Sequence, residues 1–175
     1  MLRMFPPLRA AWALKGQQSE VLITGANAKR VLFGAINVRS ARRTILVRKK
    51  AKAEDAQAFF KHLRYAYPRA RFIWLLLDKA SSHTAPASIE IMGRLNMRIV
   101  WLPKQRSELN GMDQLWKELK KEVAANRQAE SIDVLAQQAL EWVLALTPQQ
   151  AREKASMSSR HFWLNSLSQH LWPPT

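Results

Sequence analysis

Several residue types are absent or scarce in this sequence of 175 residues, and each scarcity excludes a class of protein. There is no cysteine, so disulfides, thiolate-bound metals and thiol nucleophiles are excluded. No stretch approaches the roughly 18 uncharged apolar residues of a membrane span. Arg3 and the Pro6–Pro7 pair interrupt the apolar residues of the N-terminus, which argues against a signal peptide. We therefore expect one cytoplasmic domain with no membrane partner.

Acidic residues are also scarce. The chain has 28 Lys and Arg but only 13 Asp and Glu, for a net charge of +15. Residues 1–53 carry twelve of these cations and a single acid, Glu20. Such a charge concentrates polyanions around a protein, and nucleic acid is the first candidate. A merely solvated surface and an anionic membrane are the alternatives, but the cations do not follow one amphipathic helix, which argues against the membrane.

The hydrophobic pattern predicts strands that alternate with helices after an initial hairpin. Residues 31–38 and 43–47 read as the hairpin strands, with the turn at 39–42. Continuous apolar runs at 72–77 and 98–102 are typical of strands buried on both faces. Apolar residues at helical spacing predict helices over 54–67, 85–97, 110–128 and 131–146, and we expect a short helical or irregular cap in the tail. This order indicates an α/β domain with a mixed sheet.

This arrangement makes two aspartates candidate ligands of a metal ion. Asp78 ends the strand 72–77, and Asp113 opens the helix that follows the strand 98–102. Strands joined through a helix run parallel, so their carboxyl ends share one sheet edge, where α/β proteins bind ligands. Paired carboxylates there suit Mg²⁺ or Mn²⁺. Alternatively, Asp78 only terminates a strand, and Asp113 only stabilises the first turn of a helix capped by Asn110.

The segments "LLLDKASSH" and "WLPKQRSELNGMDQLWKELK" resemble the catalytic core of insertion-sequence transposases of the mariner superfamily. In that family an Asp ends a buried strand and is followed by a nearby His. The third acid of the family's Asp-Asp-Glu/Asp triad opens a helix that bears a Trp. Here 34 residues separate Asp78 from Asp113, a spacing typical of the superfamily. The resemblance implies a ribonuclease-H-like fold, with a partial catalytic domain over residues 1–165 and a tail over 166–175.

The sequence also departs from the family pattern at several positions. Lys79 stands where the family usually has Asn, and Glu108 and Gly111 stand where prolines are usual. No Asp precedes Asp55, so the family's first catalytic Asp, on the central strand, has no counterpart and that strand is expected to be missing or incomplete. The family holds two divalent ions, Mg²⁺ or Mn²⁺, for DNA cleavage and strand transfer. This chain is therefore expected to bind metal partially, and Glu20 is only a remote substitute.

The implied partners are the DNA of transposon ends and targets, and either a second copy of the chain or a complementing transposase fragment. A non-catalytic basic nucleic-acid-binding protein with the same fold is the alternative. Cations near the hairpin and on the helix of Asp113 are the candidate DNA contacts, because such contacts to phosphates give affinity without sequence choice. They are Arg39, Arg42, Arg43, Lys49, Lys50, Lys117, Lys120 and Lys121.

Overall fold

The predicted β-hairpin is present in the structure. In the computed structural model, which describes residues 1–4, 28–104, 106–125, 129–158 and 162–164, strand β2 (Lys29–Ile36) pairs antiparallel with β3 (Arg43–Arg48). The side chain of Asn37 shapes the turn, since its Oδ1 accepts hydrogen bonds from the backbone N–H groups of Arg39 and Ser40, both at 2.9 Å. A two-residue strand, β1 (Leu2–Arg3), pairs antiparallel with the start of β2.

A second, parallel sheet positions the first aspartate. Strand β4 (Ile73–Leu77) pairs with β5 (Met97–Trp101), and the connection between them contains α2 (Ser81–Thr84) and α3 (Pro86–Arg94). The register joins Leu77 to Trp101, and the backbone N–H of Leu102 donates to the carbonyl of Leu77 at 2.8 Å. Asp78 thus leaves its strand at the carboxyl end of the sheet, as predicted.

Two hydrophobic clusters cover opposite faces of the hairpin. The first packs α4 (Gly111–Leu119) and α5 (Ile132–Ala145) against β1, β2 and β3, and the second packs α1 (Ala53–Ala66) and α3 against β2, β4 and β5. Strand β2 serves both, because consecutive side chains of a strand point to opposite faces: Leu32 belongs to the first cluster and Phe33 to the second. The predicted α/β layering is confirmed.

The structure corrects two predicted helix boundaries and adds two short helices, α2 and α6. The helix predicted over 85–97 ends at Arg94, and Asn96 adopts a φ of 55°, a left-handed conformation that stops a helix. The α-helix predicted over 110–128 ends at Leu119 and continues as a π-helical turn, Lys120–Ala124. Helix α6 (Pro148–Lys154) is capped by Thr147, whose hydroxyl accepts a hydrogen bond from the Gln150 N–H at 3.2 Å.

A short 3₁₀ turn, Ser107–Leu109, precedes α4. Of residues 158–175, over which a cap is predicted, the structure describes Ser158 and residues 162–164, and Trp163 and Leu164 are helical. The others, including the tail 166–175, lie outside the described residues. Within the described ranges, no helix has both the length and the apolarity needed to cross a membrane.

Candidate metal centre and nucleic-acid interface

Asp78 is held in one orientation at the end of β4. Its Oδ1 lies 2.8 Å from Nδ1 of His83 and 3.3 Å from the backbone N–H of Ala80, which donates to it. The hydrogen bond from His83 lowers the pKa of the Asp78 carboxyl, against an opposing effect of partial burial. The carboxylate therefore stays ionised at neutral pH, and about half of its side chain, 51 %, remains exposed to meet a ligand.

His83 is fixed by α2 and by aromatic packing. Its ring centre lies 6.1 Å from that of Phe60 in the core beneath β4, and only 18 % of its side chain is exposed. A neutral histidine that donates from Nδ1 to a carboxylate keeps Nε2 as an acceptor. The sequence motif included this histidine, and the structure shows that it orients Asp78.

Asp113 lies in the first turn of α4. Asn110 caps this helix, because its Oδ1 accepts a hydrogen bond from the Met112 N–H at 3.1 Å. Burial raises the pKa of the Asp113 carboxyl, and the nearby charge of Asp78 raises it further. The capping arrangement weighed as an alternative in the sequence is therefore present, and it places Asp113 within electrostatic reach of Asp78.

Cations oppose this rise of the Asp113 pKa. Lys117 and Lys120 act from the same helix and its π-helical extension, and the amino group of Met1 acts from the start of β1. Burial and Asp78 thus disfavour ionisation of the Asp113 carboxyl, while three positive groups favour it.

Asp78 and Asp113 line the same open pocket of about 360 Å³. Asn110 contributes to its wall, and Lys79, Lys104 and Arg106 surround it with positive charge. The two aspartates that the sequence predicts at one sheet edge thus line a common pocket. Lys104 and Arg106 were missed as site residues, although their position between β5 and α4 in the segment "PKQRSELN" was the available signal.

The donor set fits a hard divalent cation as a partial site. Two carboxylates that repel one another gain from a cation between them, and Mg²⁺ and Mn²⁺ prefer oxygen ligands. In the part of the chain that the structure describes, no group of three or more His, Cys, Asp or Glu could hold a metal ion. Glu20, the remote substitute named above, lies outside the described residues.

The predicted DNA contacts fall into two groups in the structure. The first lies at the hairpin, where Arg39, Arg42, Lys49 and Lys50 are exposed; the second lies on α4 and its π-helical turn, where Lys117, Lys120 and Lys121 are exposed. Arg42 stacks over the Tyr67 ring, 5.1 Å from its centre. Lys117 and Lys120 of the second group act electrostatically on Asp113.

Arg43 is engaged differently from the other candidate cations. Its guanidinium donates to the backbone carbonyls of Ala41 at 2.9 Å, Val143 at 3.2 Å and Leu144 at 3.0 Å, and also to that of Leu146. The last three are at the carboxyl end of α5, where carbonyls lack partners within the helix. Arg43 therefore ties β3 to α5, and its contact with DNA stays a prediction with this competing role beside it.

Comparison with known proteins agrees with this geometry. The family model described as DDE superfamily endonuclease matches residues 3–136. An "Insertion element IS630 uncharacterized 39 kDa protein" of Shigella sonnei is 23 % identical over 148 residues, which is 84 % of this chain and 43 % of that protein.

Solved structures of the Mos1 transposase share the fold. The paired-end complex with the left transposon end has a TM-score of 0.66 at 18 % identity, covering 93 % of this chain and 51 % of that one. The Mos1 mariner paired-end complex with Mn has a TM-score of 0.66 at 16 % identity, covering 95 % and 52 %. The ribonuclease-H-like fold predicted from the sequence is confirmed, and the chain spans about half the length of these proteins.

Proposed function

The chain belongs to the DDE superfamily endonucleases, and from that premise we propose that it binds DNA and a divalent cation as a transposase catalytic domain of the insertion-sequence and mariner type. The observation that carries the proposal is the pair Asp78 and Asp113, which converge on one pocket from separate elements. His83 fixes the first aspartate, and the Asn110 cap positions the second.

The proposed ligands of the ion, Mg²⁺ or Mn²⁺, are Asp78 and Asp113. In enzymes of this kind, divalent ions activate the attacking oxygen and stabilise the leaving oxygen of a phosphodiester. The residues of this chain contribute orientation and charge. His83 keeps Asp78 ionised and pointed at the pocket, and Lys79, Lys104 and Arg106 attract the phosphates of a DNA strand to its rim.

Full cleavage and strand transfer require a complete ligand set. Two carboxylates hold one hydrated ion more weakly than three, and catalytic ligands act as a unit. We therefore propose that the 175-residue chain alone binds DNA without cutting it, and that a second copy or a complementing transposase fragment completes the site. A non-catalytic DNA-binding protein remains the second candidate, favoured by the two-carboxylate donor set.

Nicking of supercoiled plasmid in Mn²⁺ tests the catalytic part. The chain, Asp78→Asn and Asp113→Asn are compared, with Glu90→Gln as a matched control because Glu90 is an exposed acid paired with Arg94 on α3. We expect no nicking above background by any of them. Nicking by the chain that both aspartate variants lose would refute the inactivity and reveal a further ligand, of which Glu20 is the first to test.

Binding of Mn²⁺ and of DNA tests the remaining parts separately. Mn²⁺ should raise the thermal midpoint of the chain but not that of Asp78→Asn, because a ligand stabilises only the state that binds it. Affinity for duplex DNA should fall steeply with salt and vary little with sequence. Lys117→Gln with Lys120→Gln should weaken binding to all duplexes alike, whereas Lys61→Gln, an exposed lysine on α1, should not.

A DNA affinity that is unchanged between low and physiological salt would contradict the proposed backbone contacts. An equal loss in the Lys61 control would show that only the net charge matters and that the pocket is not the site of binding. If Mn²⁺ also raised the thermal midpoint of both aspartate variants, the ion would bind at another site.

A further inference from the structure

Three segments at the end of the fold away from Asp78 are rich in arginine. They are the hairpin turn (37–43), the segment that joins α1 to β4 (64–72) and the segment that joins α3 to β5 (94–98), and together they hold eight of the 16 arginines, with no lysine and no acid. Since a strand rises about 3.3 Å per residue, Phe72 at the start of β4 is roughly 20 Å from Asp78 at its end. We call the surface formed by these three segments the arginine pole.

Contacts between arginines and aromatic rings bring the three segments together. The guanidinium of Arg42, in the hairpin turn, lies over the Tyr67 ring, 5.1 Å from its centre. The guanidinium of Arg98, in β5, lies 4.7 Å from the centre of the Phe72 ring, and that of Arg71 lies 5.4 Å from it. The arginine pole is therefore one surface, because the hairpin turn and β5 each reach the segment between α1 and β4 through a ring.

Some arginines of the pole have structural partners. Arg43 donates to carbonyls at the end of α5, and Arg64 donates to two carbonyls of the turn that follows α1, at 2.9 and 2.7 Å. Arg94 pairs with Glu90 on α3 at 2.5 Å. Exposed guanidinium groups come from Arg42, Arg69, Arg71 and Arg98. Stacking on a ring engages only the face of a guanidinium, so its N–H donors stay in plane to meet phosphate oxygens.

Aromatic rings are exposed in the same segments. Tyr65, in the last turn of α1, is 84 % exposed, and Phe72, just before β4, is 38 % exposed. Exposed rings beside cations suit nucleotides, because a base stacks on a ring while its phosphate meets a guanidinium. In a duplex the faces of the bases are already stacked on one another. The combination of rings and arginines therefore favours a single strand over a duplex.

We propose that the arginine pole binds single-stranded DNA, with its guanidinium groups on phosphates and the rings of Tyr65 and Phe72 against bases. The site lies at the other end of β4 from the aspartate pocket and is separate from the duplex contacts proposed on α4. That the strand is DNA rests on the proposed function, whereas the preference for a single strand rests on the exposed rings.

Fluorescence anisotropy tests the site with a labelled oligothymidylate of about 12 nucleotides and a duplex of the same length. Arg71→Gln with Arg98→Gln removes two guanidinium groups of the pole. Lys29→Gln with Lys52→Gln is the matched control, because both lysines are exposed and lie where β2 and α1 begin, away from the pole. The arginine variant should bind oligothymidylate about tenfold more weakly than the parent chain, and the control should change by at most about twofold.

Stacking is tested by replacing each ring with leucine. Phe72→Leu and Tyr65→Leu should each weaken oligothymidylate binding by about fivefold or more, because a stacked base loses its aromatic partner. Duplex binding should be unchanged in both variants. Thermal unfolding checks that each variant is folded, and Tyr65 is so exposed that its replacement keeps the test valid if Phe72→Leu is unstable.

Equal losses in the arginine variant and the lysine control would overturn the proposal, because only the net charge would then matter. Ring variants that bind oligothymidylate as well as the parent chain would also overturn it, as would a pole that prefers the duplex. Tighter binding of oligouridylate than of oligothymidylate would overturn the assignment to DNA. A parent chain that binds oligothymidylate through the pole but binds no duplex would support this site and contradict the duplex contacts proposed on α4.

Discussion

Replacing Arg43 by methionine should destabilise the fold far more than replacing its neighbour Arg42. Arg43 begins β3, and its guanidinium donates to three carbonyls at the end of α5, those of Val143, Leu144 and Leu146. Methionine keeps the apolar stem but removes every donor. The helix end then loses both its hydrogen bonds and the positive charge near its negative pole.

The size of the effect follows from these contacts. A hydrogen bond from a charged donor contributes about 1.5–3 kcal/mol, and a cation at a partly buried helix end contributes up to about 2 kcal/mol. The contributions are not additive, and carbonyls at the protein surface regain water when Arg43 is removed. We therefore expect a loss of about 2–4 kcal/mol in total. For a chain of this size, that lowers the unfolding midpoint by roughly 4–16 °C.

The assay is urea denaturation of three variants beside the parent chain. Arg42→Met is the matched control, because Arg42 is exposed and its stacking on Tyr67 is worth at most about 1 kcal/mol. Arg43→Lys keeps the charge but lacks the planar guanidinium group. Its free energy of unfolding should therefore lie between those of the parent chain and Arg43→Met. If Arg43→Met lost less than about 1 kcal/mol with an unchanged slope, the bond between β3 and α5 would not stabilise the fold, and the reasoning would be wrong.

Two further substitutions test packing and surface charge. Gly34→Val should cost about 1–3 kcal/mol in urea denaturation, because a Cβ there would lie 2.5 Å from Trp116 Cζ2, whereas Gly93→Ala, with nothing within 4 Å, should be neutral or stabilising. Equal effects at the two glycines would contradict the close approach. Asp133→Asn removes an ion pair in which the Arg30 guanidinium donates two hydrogen bonds to Asp133, at 2.7 and 2.8 Å. The free energy of unfolding should fall by at most about 1 kcal/mol, because Asp133 is exposed. A loss that does not shrink in 1 M salt would refute its electrostatic origin.

The sequence correctly predicts those parts of the fold that depend on neighbouring residues along the chain. The apolar run before Asp78 and the Asn110 cap before Asp113 fix where each aspartate leaves its element. The rule that strands joined through a helix run parallel then brings both to one edge. The helix α6 was missed because it is short and polar, although Thr147 and Gln150 form a capping box there.

Tertiary contacts explain what the sequence does not predict. Nothing in the pattern around Arg43 distinguishes it from Arg42, yet one ties β3 to α5 and the other lies exposed at the turn. The partners of Arg43 are about a hundred residues away in sequence. The cavity between β2 and β4 is likewise invisible to periodicity, because it depends on how two sheets lie beside each other. Local patterns thus place the aspartates, while long-range packing decides which cations are free to meet a ligand.

Asp113 offers a test in which stability and metal binding move in opposite directions. Its raised pKa means that ionisation is less favourable in the folded chain than in the unfolded one, because of burial first and Asp78 second. The folded state therefore binds more protons over the range between the two pKa values, and stability falls as the pH rises through that range. At pH 7 the ionised Asp113 is a net cost, even though the first turn of a helix favours a negative charge.

Asp113→Asn should therefore make the metal-free chain more stable at pH 7, since the amide keeps the shape of the side chain without its charge. Added Mn²⁺ should reverse the order, because the parent chain gains binding free energy that the variant lacks. Urea denaturation with and without Mn²⁺, at pH 7 and near pH 4, measures both effects. Near pH 4 the advantage of the variant should shrink as Asp113 of the parent chain takes up a proton. A variant that is less stable than the parent at pH 7 without metal would show that Asp78 and burial do not govern this carboxyl. A variant that gains as much as the parent from Mn²⁺ would remove Asp113 from the ligand set.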